Sequence, residues 1–221
     1  MFASILMGGL LALFGQTYQT GADTFELFAS WAALILPWVL IGRFAALWVV
    51  WIAIVNLAIT FYFWAFPGLF GFVLNTQIQR LLWVLFAFNT IVLALWEVTA
   101  KRVAWLNERG SVRLVALASA GFMTSLAVYA LVAESNGLIV GLVYAAWLGA
   151  TYAVYRITIR DVFMLAASSL SVIVVVPTFL SKHMLGSGNA AGAFLFIALA
   201  VIGMSAGAAM WLKSVATEQQ L

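Results

Sequence analysis

Glu97 is an acidic residue within a long apolar run, residues 81–99, where a carboxylate could relay protons or couple an ion. Lys101 follows four residues later. A Glu followed by a Lys at this spacing is the favourable order for an ion pair on a helix. We therefore favour an interfacial ion pair between Glu97 and Lys101, and the proton relay is the alternative.

Two amides, Asn56 and Asn89, lie deep in the apolar residues 44–64 and 81–99. An amide away from water needs a hydrogen-bond partner, and inside a membrane this partner is commonly a polar group on a neighbouring helix. The sequence predicts that the two amides meet between adjacent antiparallel helices. Binding of a substrate or an ion is the alternative.

Covalent and metal chemistry have little support in the sequence. There is no Cys, and the one histidine, His183, has no second ligand of a suitable type nearby. Neither the zinc-protease motif HExxH nor a phosphate-binding P-loop is present. We expect no cofactor, no metal and no enzyme activity.

A polar stretch near the N-terminus, residues 15–28 (GQTYQTGADTFELF), separates two apolar runs. Its simplest interpretation is a turn between helices, in which Asp23 caps the second helix with Glu26 three residues on. The sharper hypothesis is that the stretch also contacts a partner or ligand through four side chains: Gln16, Tyr18, Gln19 and Asp23.

The elements that position these residues are predicted membrane spans. Hydrophobic residues form 66% of the 221 and charged residues 8%, whereas a soluble domain carries about 25% charged residues. The apolar runs are continuous and long enough to cross a bilayer as helices. We predict an all-α, polytopic transmembrane bundle with about eight spans: residues 2–17, 24–41, 44–64, 81–99, 114–132, 138–155, 162–180 and 190–212.

The first run is short, so the count is seven if it lies in the interface or re-enters the membrane without crossing. We expect a single transmembrane domain over residues 1–221, with a weak four-plus-four division near residues 100–113.

Basic residues concentrate on one face when successive loops are assigned to alternate sides. Of the ten, Arg80 and Lys182 fall on one face, and the other face receives eight: Arg43, Lys101, Arg102, Arg109, Arg113, Arg156, Arg160 and Lys213. By the positive-inside rule the second face is cytoplasmic, as is the C-terminus. The net charge of +3 reports this placement and not a nucleic-acid partner.

Small residues recur along the later spans. Gly137, Gly141 and Gly149 lie on one four-residue repeat, and Gly203 with Gly207 forms a GxxxG pair. Such ridges let helix backbones approach closely. We expect them to face other helices of the bundle, and contact with a partner protein is the alternative for Gly203 and Gly207.

The segment FGQTYQTGADTFELF, followed by WAALILPW at residues 31–38, resembles an uncharacterised family of bacterial multi-pass inner-membrane proteins. Members are often encoded beside a small protein with a GDYXXLXY motif. Residues 161–211 also look similar to the later part of that group. The resemblance implies a bacterial inner-membrane location and a membrane or periplasmic protein as partner, and it implies no particular activity.

Two functions follow from these patterns. We favour a non-catalytic accessory or scaffold subunit that contacts the lipid bilayer and another protein through helix ridges and outer loops. The alternative is a small-molecule or ion transporter or channel, which would need polar groups at mid-membrane. For that role the sequence offers Asn56, Asn89 and the serines of residues 168–171.

Overall fold

The computed structural model describes residues 2–18, 23–66, 76–134, 136–184 and 190–218. Of the residues in these ranges, 92% are helical, and no strand occurs among them. The helices are α1 (Phe2–Tyr18), α2 (Thr24–Ile41), α3 (Ala45–Ala65), α4 (Gln77–Ala100), α5 (Arg109–Ala133), α6 (Gly137–Tyr152), α7 (Val162–Met184) and α8 (Ala190–Glu218). A 3-10 turn, Ala104–Leu106, precedes α5, and a π-helix, Ala153–Thr158, continues α6.

Within the described ranges, the seven helices α2 to α8 are long and apolar enough to cross a membrane. The N-terminal α1 is shorter, at 17 residues. Many large apolar side chains point outward, among them Leu138 and Ile41, which are 79% and 78% exposed. Exposed apolar surface on this scale requires lipid around it. The predicted all-α polytopic bundle is therefore confirmed.

Several helices are longer than the apolar runs that predicted them. α4 begins at Gln77, where the hydroxyl of Thr76 accepts a hydrogen bond from the Gln79 amide at 3.2 Å. α5 begins at Arg109, and α8 continues to Glu218, beyond the predicted end of its span at residue 212. Hydropathy marks only the part of a helix that lies in hydrocarbon, so polar ends beyond it are missed.

The chain divides into two compact units, Met1–Ala116 and Leu117–Leu221. In the first unit, α2 packs extensively on α3, α1 packs on α2, and α3 packs on α4. The core of the α2–α3 pair consists of Ala32, Ile35, Val39, Leu47 and Ile54, all buried. The α2–α3 turn passes through Arg43, whose φ of 42° is left-handed.

In the second unit, α7 packs on α8 and on α6. The largest fully buried apolar side chains of this unit are Met123, Leu126, Met164 and Leu165, each at most 2% exposed. The connection from α6 to α7 runs through the π-helix and then Arg160, whose φ of 52° is also left-handed. Asp161 then begins α7, accepting a hydrogen bond from the Phe163 amide at 3.0 Å.

Candidate functional site

The contact between α1 and α2 is built around Gly8. A Cβ atom placed on Gly8 would lie 2.5 Å from ring atoms of Trp31, so only glycine allows this approach. The indole Nε1 of Trp31 donates a hydrogen bond to the Ser4 carbonyl at 2.7 Å. The ring thus lies against the α1 backbone and ties the two helices together. Gly8 and Trp31 are 23 residues apart in the sequence, so no local sequence pattern predicts their contact.

Aromatic rings fix the start of α2 against the end of α3. Phe25 meets Tyr62 edge-on, with ring centroids 5.3 Å apart, and Phe28 stacks on Phe61 at 5.3 Å. Further along, the Trp51 indole donates to the Ala32 carbonyl at 3.0 Å. These contacts hold the first turns of α2 in place, and with them the side chain-bearing backbone of Asp23 and Glu26.

An open groove of about 500 Å³ lies where α1 ends and α2 begins. Its apolar walls come largely from α1, while α2 contributes two exposed carboxylates, Asp23 and Glu26. The described lining residues are Leu11, Ala12, Phe14, Gly15, Gln16, Asp23, Thr24, Glu26, Leu27 and Ser30. Such a surface can bury an apolar side chain while accepting hydrogen bonds or a positive charge at its edge.

Two of the four residues predicted to contact a partner, Gln16 and Asp23, line this groove. The side chain of Tyr18 and the whole of Gln19 lie outside the described residues.

The expected capping role of Asp23 is wrong in one respect. Asp23 occupies the N-cap position of α2, but its side chain makes no capping hydrogen bond. The Glu26 amide donates instead to the Asp23 main-chain carbonyl at 3.0 Å. The backbone satisfies this donor, so capping does not occupy the Asp23 carboxylate.

Asn56 and Asn89 meet between α3 and α4. Asn89 Nδ2 donates to Asn56 Oδ1 at 2.7 Å, and Asn56 Nδ2 donates to Asn89 Oδ1 at 3.1 Å. Each amide also donates to a carbonyl of its own helix, that of Ile52 or Leu85. With both oxygens and both amino groups engaged, the pair is suited to joining helices more than to binding a ligand.

Glu97 has a different partner from the expected Lys101. Its carboxylate pairs with Arg109, whose Nη1 lies 3.2 Å away at the start of α5. The reason is the fold of the connection after α4, which ends at Ala100 and returns through the 3-10 turn. Trp96 fixes this return by donating from Nε1 to the Leu106 carbonyl at 3.1 Å.

The glycines predicted to pack helices do not do so among the described residues. A Cβ atom added to Gly137, Gly141, Gly149, Gly203 or Gly207 would find nothing within 4 Å. The repeat places small residues on one helix face, but it does not specify which surface that face meets. The prediction that these five glycines pack against other helices of the bundle is therefore not met among the described residues. Contact with a partner protein remains a prediction for Gly203 and Gly207.

Ser171, one of the serines that the sequence offers for transport, belongs to a hydroxyl cluster in the second unit whose other two members were not predicted from the sequence. Ser171, which is buried, lies 2.7 Å from Thr124 Oγ1 and 3.0 Å from the Tyr144 hydroxyl oxygen. By contrast, Ser168 and Ser169 donate to carbonyls of their own helix. The cluster adjoins a cavity of about 310 Å³ lined by residues of α5 and α7. Because the three hydroxyl residues are 20 or more positions apart in the sequence, no sequence pattern predicts that they meet.

The fold defines a multi-pass helical membrane protein. Over residues 1–48 the chain matches a family described as "Predicted membrane protein (DUF2157)". This stretch holds α1, α2 and the start of α3, so the expected resemblance to an uncharacterised membrane family is confirmed there; it does not include residues 161–211. The groove lies wholly within the match. No curated protein and no solved structure matches the chain.

Proposed function

We propose that the protein is a non-catalytic accessory subunit that docks another membrane or periplasmic protein at the α1–α2 groove. The observation that carries this proposal is the groove itself, an open and partly apolar cavity. At its edge lie Glu26 and the Asp23 carboxylate, which makes no capping hydrogen bond. The family match covers all of its lining. The open faces at Gly203 and Gly207 support a second contact, with a partner helix.

The groove is suited to a segment that presents an apolar side chain beside a basic one. Phe14 and Leu27 supply apolar surface, and Asp23 and Glu26 supply negative charge at one edge. Both carboxylates lie at the N-terminus of α2, where the helix dipole favours negative charge. The helix dipole thus stabilises the negative charge of the groove, and this charge suits an external cation such as Lys or Arg.

Photocrosslinking from single cysteines tests this proposal, because the chain has no native Cys. A maleimide–benzophenone probe at Gln16→Cys should crosslink, in native membranes, to a protein that also co-purifies with the unmodified chain. Adding Asp23→Asn and Glu26→Gln should abolish the crosslink. The control is Leu40→Cys, an exposed lipid-facing position at the far end of α2. Equal crosslinking from both positions, or a lone monomer after mild solubilisation, would contradict the proposal.

We further propose that the protein resides in a bacterial inner membrane with its basic face and C-terminus in the cytoplasm. Eight of the ten Lys and Arg residues on one face support this orientation. It puts the α1–α2 groove on the periplasmic side, where a periplasmic partner can reach it.

Accessibility of introduced cysteines tests the orientation. An impermeant maleimide added to intact cells should label Asp23→Cys and leave Asn107→Cys unlabelled until the membrane is opened. Asn107 lies in the connection between α4 and α5, on the basic face. The reverse labelling pattern would overturn the orientation.

Transport is the second candidate function, and the hydroxyl cluster around Ser171 is the observation that favours it. The cluster gives the second unit hydrogen-bonding groups next to a cavity within its membrane-spanning helices. A transporter would need these groups, so Ser171→Ala with Thr124→Val should impair uptake by proteoliposomes. Unchanged uptake in a correctly assembled variant would remove the support for transport.

A further inference from the structure

A basic cavity in the second unit plays no part in the proposed function. Its volume is about 440 Å³, and it lies where α6 ends, α7 begins and α8 ends. The described residues that line it are Tyr152, Arg156, Ile157, Arg160 and Glu218. Two guanidinium groups against one carboxylate leave this lining with a net positive charge.

The backbone around the cavity is irregular in two places. After Tyr152 the helix widens into the π-helix Ala153–Thr158, which contains Arg156. Two residues beyond its end lies Arg160, whose left-handed φ of 52° would suit glycine better. A non-glycine residue in this region costs about 1–2 kcal/mol. π-Helical segments and strained residues are both concentrated at functional sites.

Arg156 already holds an anion from within the chain. Its Nη2 lies 2.6 Å from the Glu218 carboxylate, in a pair whose side chains are 26% and 57% exposed. Glu218 lies at the last residue of α8, where the negative end of the helix dipole disfavours a carboxylate. An external anion can therefore displace Glu218 at low cost.

An amphipathic aromatic pair lies at one wall of the cavity. Tyr152 stacks on Trp211 with ring centroids 6.3 Å apart, and such amphipathic rings are enriched at the membrane–water boundary. The Tyr152 hydroxyl supplies a hydrogen-bond donor beside the two arginines. Basic pockets between helices at a basic membrane face bind phosphate-bearing headgroups.

We propose that this cavity binds a phosphate group through Arg156 and Arg160, in exchange for Glu218. The planar guanidinium donates two parallel hydrogen bonds to a phosphate, which makes arginine the residue suited to this anion. Two sources carry the group: the headgroup of an anionic phospholipid and free inorganic phosphate. Binding of either releases the end of α8 from Arg156.

Titrations of the full-length protein in neutral detergent test this site. The ligands are dihexanoyl phosphatidylglycerol, inorganic phosphate and, as a zwitterionic reference, dihexanoyl phosphatidylcholine. Arg156→Gln should weaken binding of the anionic ligand about tenfold, because it removes a charge-assisted contact. The control is Lys213→Gln, with the same charge change on α8 but outside the cavity; at 0.15 M salt it should change binding less than about twofold.

Glu218→Gln provides an independent measurement, since it removes the competing carboxylate from an exposed position. It should strengthen binding about threefold or more, and it decides the matter if Arg156→Gln fails to assemble. Binding of phosphatidylglycerol alone identifies lipid as the source, and binding of inorganic phosphate identifies the free anion. Equal losses in Arg156→Gln and Lys213→Gln, no gain in Glu218→Gln, or no binding of either anionic ligand would overturn the proposal.

Discussion

The two units use small and polar residues in opposite ways. In the first, Gly8 is covered by Trp31, and Asn56 with Asn89 forms a saturated pair. In the second, no described residue lies within 4 Å of a Cβ atom placed on Gly203 or Gly207, and the hydroxyls around Ser171 adjoin a cavity. The same residue types can therefore lock helices together or leave a surface available. Which one occurs depends on what the opposing helix presents.

The largest effect that would test this contrast is expected at Gly8. Gly8→Ala should destabilise the protein by about 1–3 kcal/mol, because the new methyl group overlaps the Trp31 ring. Gly9→Ala is the matched control: nothing lies within 4 Å of its Cβ position, and the higher helix propensity of alanine should make it neutral or stabilising by up to about 1 kcal/mol. Thermal unfolding in detergent measures both. Equal behaviour of the two variants would mean that α1 is not held against α2 in this way.

The next effect is expected at the amide pair. Asn89→Leu should lower the free energy of unfolding by about 1–2 kcal/mol, since it leaves the Asn56 amide without its partner. The double variant Asn56→Leu/Asn89→Leu should lose less than the sum of the single variants, because both polar groups are then gone. A double-mutant cycle on unfolding in mixed micelles gives the coupling. If the stability losses of the two single variants simply add in the double variant, the two amides do not interact.

The hydroxyl cluster should show a smaller effect. Ser171→Ala removes contacts with Thr124 and Tyr144 and should cost about 0.5–1 kcal/mol. Ser169→Ala serves as the reference, because Ser169 donates only to the Leu165 carbonyl of its own helix and should change stability by no more than about 0.5 kcal/mol. If both serines behave alike, the cluster contributes nothing beyond local bonds.

The smallest effect on the stability of the isolated chain is expected at Gly203 and Gly207 of α8. Gly203→Ala and Gly207→Ala should leave stability unchanged or raise it by up to about 1 kcal/mol through helix propensity. Replacement of both by Leu should still permit folding but disrupt co-purification of a partner that packs there. A marked loss of stability on the alanine changes would show that the ridge is covered within the chain.

The sequence was sufficient for the fold class and for most helix positions. Long apolar runs report membrane burial directly, and α2 has the predicted bounds, Thr24–Ile41. It was not sufficient for contacts that depend on how helices face each other. Glu97 meets Arg109 because a loop folds back, which the spacing to Lys101 could not reveal. The π-helix and the Gly8–Trp31 contact likewise depend on tertiary packing and leave no periodic signal.

The sequence did not predict the groove, although it marked two of the residues that line it. Gln16 and Asp23 were identified because residues 15–28 are polar. Leu11 and Phe14, which form apolar walls of the groove, could not be distinguished from other residues of a membrane span. A polar interruption between two helices shows where the chain leaves the bilayer. It does not show that the helices diverge enough to leave a cavity, because that depends on the close approach at Gly8.

The length of α1 and α2 has a consequence for the surrounding lipid. With 17 and 18 residues they measure about 26–27 Å, less than the hydrocarbon thickness of about 30 Å. Where a helix of this length crosses the bilayer, compression of the lipid beside it costs a fraction of a kcal/mol per Å of hydrophobic mismatch. Another protein with a similarly short helix relieves that compression when it moves alongside. Hydrophobic mismatch thus adds to the affinity that we propose between the groove and a partner with such a helix.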